Sequence, residues 1–233
     1  MAEGNKDPLV SLEEFRSHFA NASRYLTANE TWPHSTILLY KYVYNVNVAF
    51  NNTYNPENTW KRVDNYPTTE FTTGNERPMH AELIMIEQLR EIRQYQSIHR
   101  IEVIQSYSPC RNCSDALCKF KEELDGEKIK GSSGVPSDLE KGEAMEFKIT
   151  FSNFFKHNDR TNQGGLTNLL KRGIKLDIFT DENWKYFFNF TGLVTERRQR
   201  REIDDKKIFQ YFEGLVALET ITDYLEAHRL GLP

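Results

Sequence analysis

Cysteine is nearly absent, with three residues in a chain of 233. A small and odd set of thiols cannot build a disulfide framework, and it fits a reducing compartment. No apolar run approaches the ~18 residues that span a bilayer, and no basic-plus-apolar leader opens the chain. A soluble, intracellular protein with no membrane partner is therefore expected, in which the sequons at Asn21, Asn29, Asn51, Asn112 and Asn189 carry no meaning. Excess positive charge is missing too: the formal net charge of -4 is the wrong sign for a chain that clasps phosphates through clustered Lys and Arg. The deficit is local, however. Between Glu122 and Glu146 eight acids face three bases, a net of -5 that leaves +1 for the rest of the chain. What is present, 38% hydrophobic and 12% aromatic residues, suffices for one sizeable core, so a single domain over residues 1–233 is expected.

Ser11 and Glu14 make a capping box before an amphipathic stretch. That pattern predicts a helix over Ser11–Ala22, within a helical N-terminal segment of about residues 1–30. "TILLYKYVYNV", Thr36–Val46, is aromatic and β-branched in the manner of a strand. The Asn-rich "FNNTYNPEN" then reads as a hairpin connection to a second strand around Trp60–Phe71. Beyond it helices ("HAELIMIEQLREIRQYQ", "CRNCSDALCKFKEEL", "GGLTNLLKRG") alternate with strands ("HRIEVIQSY", "EFKITFS", "IKLDIFT"). Gly173 ends the third of these helices, and Asp181 reads as the N-cap of another in "DENWKYFFNF". A last helix over about Lys207–His228 closes a helical region of about residues 181–233. The pattern is that of an α/β sandwich with about five strands, parallel beyond the opening hairpin. Asp125–Lys141, punctuated by "GSSGVPSD", reads as a mobile acidic loop. "ERRQRREIDDKK", Glu196–Lys207, reads either as a solvated helix face or linker, or as a nuclear-import or phosphate-binding run.

The chemistry lies in two short motifs. Cys110 and Cys113 stand three apart at the start of a predicted helix, so they share one face, and the free N–H groups there favour thiolates. The nearest group that completes a zinc site is His80, at the start of another predicted helix. Three ligands from thiolate and imidazole leave the fourth tetrahedral position open, as catalytic zinc requires. Glu82, two residues from a ligand without being one, can take a proton from a zinc-activated water and return it to a leaving group. A redox CxxC needs no HxE, and a closed structural site wants a fourth ligand. Cys118 reads as a small buried hydrophobe, and His18, His34, His99, His157 and His228 as surface or structural residues. "HAE" followed by "PCRNC" has the form of the zinc-dependent nucleobase deaminase signature H-x-E…P-C-x-x-C.

At this point the chain resembles the activation-induced deaminase and APOBEC polynucleotide cytidine deaminases, from about Thr36 to the last helix. "SYSPCRNC" is similar to that family's Ser-Trp-Ser-Pro-Cys-x-x-Cys, with Tyr107 in place of Trp. "ITFSNFFKHNDRTNQGGLTNLLKRGIKLDIFT" is similar to its fourth strand, specificity loop, fourth helix and fifth strand. The resemblance implies a cytidine-deaminase-like three-layer fold, Zn2+, and hydrolytic deamination of cytosine to uracil in single-stranded DNA, with RNA as the alternative, in the cytoplasm, the nucleus or both. It implies Glu82 as the proton carrier, His80, Cys110 and Cys113 as ligands, and Asn75 on the target nucleotide's sugar. Thr36 then lies near the ring edge, and His34 in a loop closing over the strand. Ala81, Ser106, Tyr107 and Ser108 line the pocket, Phe154 stands where the family packs a Tyr on the base, and Phe155 beside it is a further substrate-binding candidate. Read without the resemblance, Thr36 is a strand residue, Asn75 a turn residue beside Gly74, and Phe154 and Phe155 core aromatics. The acidic stretch should lie on the far side of the sheet from the substrate, with His34, Lys156, His157 and Arg160 making a modest positive track near the mouth. Two other readings stand beside this one: a free nucleotide or nucleoside deaminase, and a zinc-stabilised nucleic-acid-binding module without catalysis. Antiviral restriction and immune-gene diversification are equally compatible roles, and the oligomeric state is open.

Overall fold

The structure, a computed structural model, describes residues 8–20, 35–44, 59–65, 79–130, 145–193 and 206–217. Five strands form one sheet: β1 (Ile37–Tyr44), β2 (Lys61–Asp64), β3 (Ile98–Tyr107), β4 (Glu146–Asn153) and β5 (Lys175–Ile178), in the order β2-β1-β3-β4-β5. β1 runs antiparallel to both β2 and β3, whereas β3, β4 and β5 are parallel. The sheet is thus mixed, as the hairpin followed by βαβ units predicted. Helices α2 (Ala81–Arg93), α3 (Arg111–Lys130) and α4 (Arg160–Lys171) are the crossovers, and α5 (Asp181–Thr191) and α6 (residues 206–217) follow β5. α1 (Leu12–Glu14) precedes the sheet and runs on as a π-helical turn, Phe15–Phe19. No helix among the described residues is long and apolar enough to cross a membrane.

Alternation along the strands sorts the core into two layers. Leu38, Tyr40 and Tyr42 of β1 point to a face shared with Val103, Phe147 and Ile149, where Met85, Leu89, Leu117, Phe120 and Leu169 of α2–α4 pack on them. Ile37 and Leu39 point the other way with Ile104, into an aromatic cluster of Phe15, Phe19, Phe179, Trp184 and Phe187. Ring pairs there include Phe179–Trp184 at 4.2 Å and Phe19–Phe187 at 4.8 Å between centroids. Each fully buried side chain of this size contributes ~1.5–3 kcal/mol on removal from water, so both faces of β1 are committed. This explains why its first half, Ile37–Tyr40, reads as an unbroken apolar run before Lys41. The result is a helix–sheet–helix sandwich, a mixed α/β fold of the cytidine-deaminase type.

Local signals held in most places. Ser11 and Glu14 close the predicted capping box, Glu14 N–H donating to Ser11 Oγ at 3.2 Å and Ser11 N–H to Glu14 Oε2 at 2.8 Å. Gly173, at φ 73°, ends α4 in a left-handed turn that only glycine adopts without steric cost. Three expectations need correction. Asp181 is the first helical residue of α5, not its N-cap: Thr180 has the extended cap conformation, and Asp181 supplies first-turn negative charge. α3 continues to Lys130, so residues 125–130 are helical rather than part of a loop, because the Gly/Ser/Pro punctuation begins only at Gly131. The first helix is a short α turn followed by a π turn rather than a regular helix over Ser11–Ala22. The remainder of the acidic loop, residues 131–144, and residues 196–205 of the charge run lie outside the described residues.

Candidate metal centre

Two helix N-termini converge beyond the carboxyl end of β3. α2 begins at Ala81 with His80 as its N-cap in extended conformation, and α3 begins at Arg111, directly after the β3 exit and Pro109–Cys110. His80 Nδ1 lies 3.5 Å from Cys110 Sγ and 3.2 Å from Cys113 Sγ, and the three donor atoms lie within 4.8 Å of one another. Tetrahedral zinc with Zn–S of ~2.3 Å and Zn–N of ~2.0–2.1 Å needs donors separated by roughly 3.5 Å. One imidazole and two sulfurs at these spacings therefore form a group compatible with zinc.

A ligating side chain cannot also cap its own helix, and His80 makes no side-chain cap bond. Caps arrive from elsewhere in the fold. The Ala81 N–H donates to Oδ1 of Asn65, just past β2, at 2.9 Å, and the Arg111 N–H donates to Oδ1 of Asn162, on α4, at 2.9 Å. Asn162 also donates through Nδ2 to the Phe155 carbonyl at 3.5 Å, tying α3 to the β4–α4 turn. α4 approaches α3 closely here: a Cβ on Gly165 would sit 3.0 Å from the Ser114 side chain and 3.2 Å from Arg111 Cα. Neither asparagine was marked out by sequence. Asn65 fell inside an expected strand and Asn162 inside an undistinguished "RTNQGG", since a remote cap leaves no local pattern.

The electrostatics are those of a reactive cluster. Cys110 is held down to about 4, first by the Cys113 thiol donating to it and then by His80. Cys113 is pushed well above the usual thiol range by that same donation to Cys110 and by burial. Hydrogen bonding to Cys110 raises His80. Loading a metal therefore has to displace the Cys113 proton. Glu82, in the first turn of α2, is 4% exposed, and burial lifts its carboxyl to about 7 against the opposing hydrogen bond from its own backbone N–H. A carboxyl poised near neutrality beside this cluster can both accept and deliver a proton.

The walls are less uniform. Ser106, Tyr107 and Ser108 are buried at the end of β3. Ser106 Oγ accepts from Ile37 N–H at 3.1 Å, which brings the start of β1, with half-buried Thr36 before it, alongside. Ser108 Oγ accepts from Phe155 N–H at 3.0 Å. Ala81 is fully buried beside Glu82. Phe154 is 5% exposed and packs on Phe151 and on Tyr211 of α6, so its ring belongs to the core, whereas Phe155 is half-buried with Lys156 Nζ 5.3 Å from its ring. His34 and Asn75 lie outside the described residues. Of the proposed positive track, Lys156 and Arg160 are exposed, while burial and Lys207 hold His157 below its ordinary value, so it carries little charge at neutral pH.

No family model matches the chain. In sequence it is 27% identical over 124 residues to the C->U-editing enzyme APOBEC-1 of Mesocricetus auratus, a match covering 51% of this chain and 46% of that protein. The chain thus spans about half the length of the relative it matches. That likeness and the His80–Cys110–Cys113 cluster support a cytidine-deaminase-like family, and the five-stranded mixed sheet with flanking helices is consistent with its fold.

Proposed function

We propose that this chain is a zinc-dependent deaminase converting cytosine to uracil in single-stranded polynucleotide, with DNA as the favoured substrate. The observation that carries the reading is a buried Glu82 with its carboxyl near neutrality, set against a His80–Cys110–Cys113 trio at zinc spacing. A zinc ion held by these three residues supplies Lewis acidity that brings the ionisation of water toward neutral pH. Glu82 would take one proton from the attacking water and pass it to the cytosine ring nitrogen, then relay the proton left on the new C4 hydroxyl to the amino group as the C4–N bond breaks, so that water is consumed and ammonia released. Buried Ala81, Ser106, Tyr107 and Ser108 shape the pocket and exclude solvent. Base stacking falls to the half-buried Phe155 rather than to Phe154, whose faces are already occupied by Phe151 and Tyr211. Thr36 stands at the rim, and Asn75 and His34 keep the sugar-holding and strand-closing roles implied by the family resemblance.

The test is to sequence a mixed single-stranded DNA library after incubation with purified protein, beside Glu82→Ala and Cys110→Ala. C-to-T changes with the unmodified chain, absent with Glu82→Ala and strongly reduced with Cys110→Ala, are expected. Retained conversion in Glu82→Ala sinks the mechanism. An unchanged DNA library with conversion of RNA or of free deoxycytidine moves the substrate class. Oligonucleotide binding indifferent to Glu82→Ala, with no deamination of any substrate, leaves a zinc-stabilised binding module.

A further inference from the structure

The turn between β4 and α4 is built under constraint from two sides. On the inner side it is stitched to the metal end of the sheet. Ser108 N–H donates to the Asn153 carbonyl at 2.7 Å, Phe155 N–H to Ser108 Oγ at 3.0 Å, and Asn162 spans the Phe155 carbonyl and the α3 N-terminus. On the polynucleotide reading, this turn carries Phe155, the residue given the stacking role. Lys156, at its apex, has φ 44° and is the non-glycine residue in left-handed conformation among those described. Such a conformation is uncommon for a side-chain-bearing residue, and it persists only where surrounding contacts over-determine it.

On the outer side the constraint comes from α6. The Tyr211 ring lies 4.8 Å from the His157 ring and 6.2 Å from that of Phe154, bracketing the strained residue from both flanks. Gln163 donates to the His157 carbonyl at 2.8 Å and completes the bracket from α4. Behind the tyrosine is a cavity of about 190 Å³ lined by Phe154, His157, Gln163, Leu166 and Gly214. A turn with such a void beside it has room to collapse inward, and the Tyr211 ring, 40% exposed, is the wedge at its mouth. The ring is on a helix far in sequence from His80, Cys110 and Cys113, and leans on both residues that flank Phe155 and Lys156.

We propose that Tyr211 is a positioning residue: by wedging His157 and Phe154 it fixes the β4–α4 turn, and so sets which base is accepted beside the target cytosine. The base-context part rests on the polynucleotide reading above, while the mechanical part does not. The experiment compares the full chain with Tyr211→Ala and Tyr211→Phe by hydrogen exchange, by zinc content, and by the flanking-base profile in the DNA library. In Tyr211→Ala the amides of residues 155–158 should exchange about tenfold faster while those of β3 are unmoved, as for local opening of one segment. Zinc content should stay at the wild-type level, and the flanking-base preference should flatten. Tyr211→Phe, which keeps the ring, should restore both exchange and profile. Unchanged exchange in the turn, or an identical flanking-base profile in all three proteins, overturns the proposal. If the unmodified chain deaminates nothing but the turn still loosens in Tyr211→Ala and recovers in Tyr211→Phe, the wedge stands and the deaminase reading falls.

Discussion

The two ends of the sheet handle polar groups in opposite ways. At the end where β3 and β4 exit, Glu82, Ser106, Ser108, Asn153 and Asn162 are all buried, and those with resolved partners bond to a different element of the chain. At the end where β4 enters, Arg100 and Lys175 pair with Glu146 at 3.1 and 3.0 Å, Arg90 with Glu123 at 2.6 Å, and Arg172 with Glu122 at 2.8 Å, all on side chains open to water. Exposed pairs of this kind contribute ~0–1 kcal/mol each. Burying a carboxylate costs more than that, as the lifted Glu82 shows. The entry end therefore keeps its charges in water, and the exit end carries a standing cost of the kind that functional sites impose. The same division answers the charge deficit: described members of the acidic stretch, Glu122, Glu123 and Glu146, are at the entry end, away from His80, Cys110 and Cys113.

Removing a ligand should break the contrast most. With zinc at 100 times its dissociation constant, binding stabilises the folded chain by ~2.7 kcal/mol, roughly 5–10 °C in Tm for a chain of this length. A chelator should lower the Tm of the unmodified protein by that order and leave Cys113→Ala, already low, unmoved. Arg90→Ala at the entry end should respond to chelator as the unmodified chain does. Equal chelator responses in Cys113→Ala and in the unmodified protein exclude Cys113 as a ligand.

A smaller effect separates ligands from the groups that aim them. Asn162→Ala leaves His80, Cys110 and Cys113 in place but removes the partner of the part-buried Arg111 N–H, at a cost of ~1 kcal/mol. Zinc affinity, read by competition with a chromogenic chelator, should fall ~10–100-fold, the usual penalty for losing a supporting bond around a metal. Asn65→Ala should act in the same direction through α2. Unchanged affinity in both shows that the helix starts hold without their remote caps.

Legibility followed the range of the forces involved. The capping box at Ser11, the glycine stop at Gly173 and the alternation of strand and helix are written in a few adjacent residues, and all appear in the structure. The meeting of His80, Cys110 and Cys113 was legible because helix starts fix side-chain direction locally, and the topology then had only to bring two such starts together. Asn65, Asn162 and Tyr211 act across 16, 51 and more than 50 residues, where no periodicity operates. Phe154 and Phe155 show the limit most sharply. Two adjacent phenylalanines at a strand end look alike in sequence, and only the docking of α6 decides that the first is core and the second faces outward in part.

The smallest effect tests an ion pair that is neither buried nor fully exposed. Arg62 of β2 grips Glu14 with two bonds, Nη1 to Oε2 at 3.0 Å and Nη2 to Oε1 at 2.6 Å, joining the N-terminal turn to the sheet edge. The Arg62 guanidinium is the main reason that the Glu14 carboxyl is held down to about 2, against 4.5 for the free group. A depressed carboxyl stabilises the fold fully above its unfolded value, and the contribution drains away as pH falls from about 4.5 through 2. Both side chains reach solvent, so screening limits the contribution to ~0.5–1 kcal/mol. Glu14→Gln removes the charge while retaining a side chain that can close the capping box with Ser11. Urea midpoints should therefore favour the unmodified chain at pH 7 and nearly coincide with those of Glu14→Gln at pH 2.5. A gap of equal size at both pH values means that the bond geometry, and not the charge, joins the N-terminal turn to the sheet.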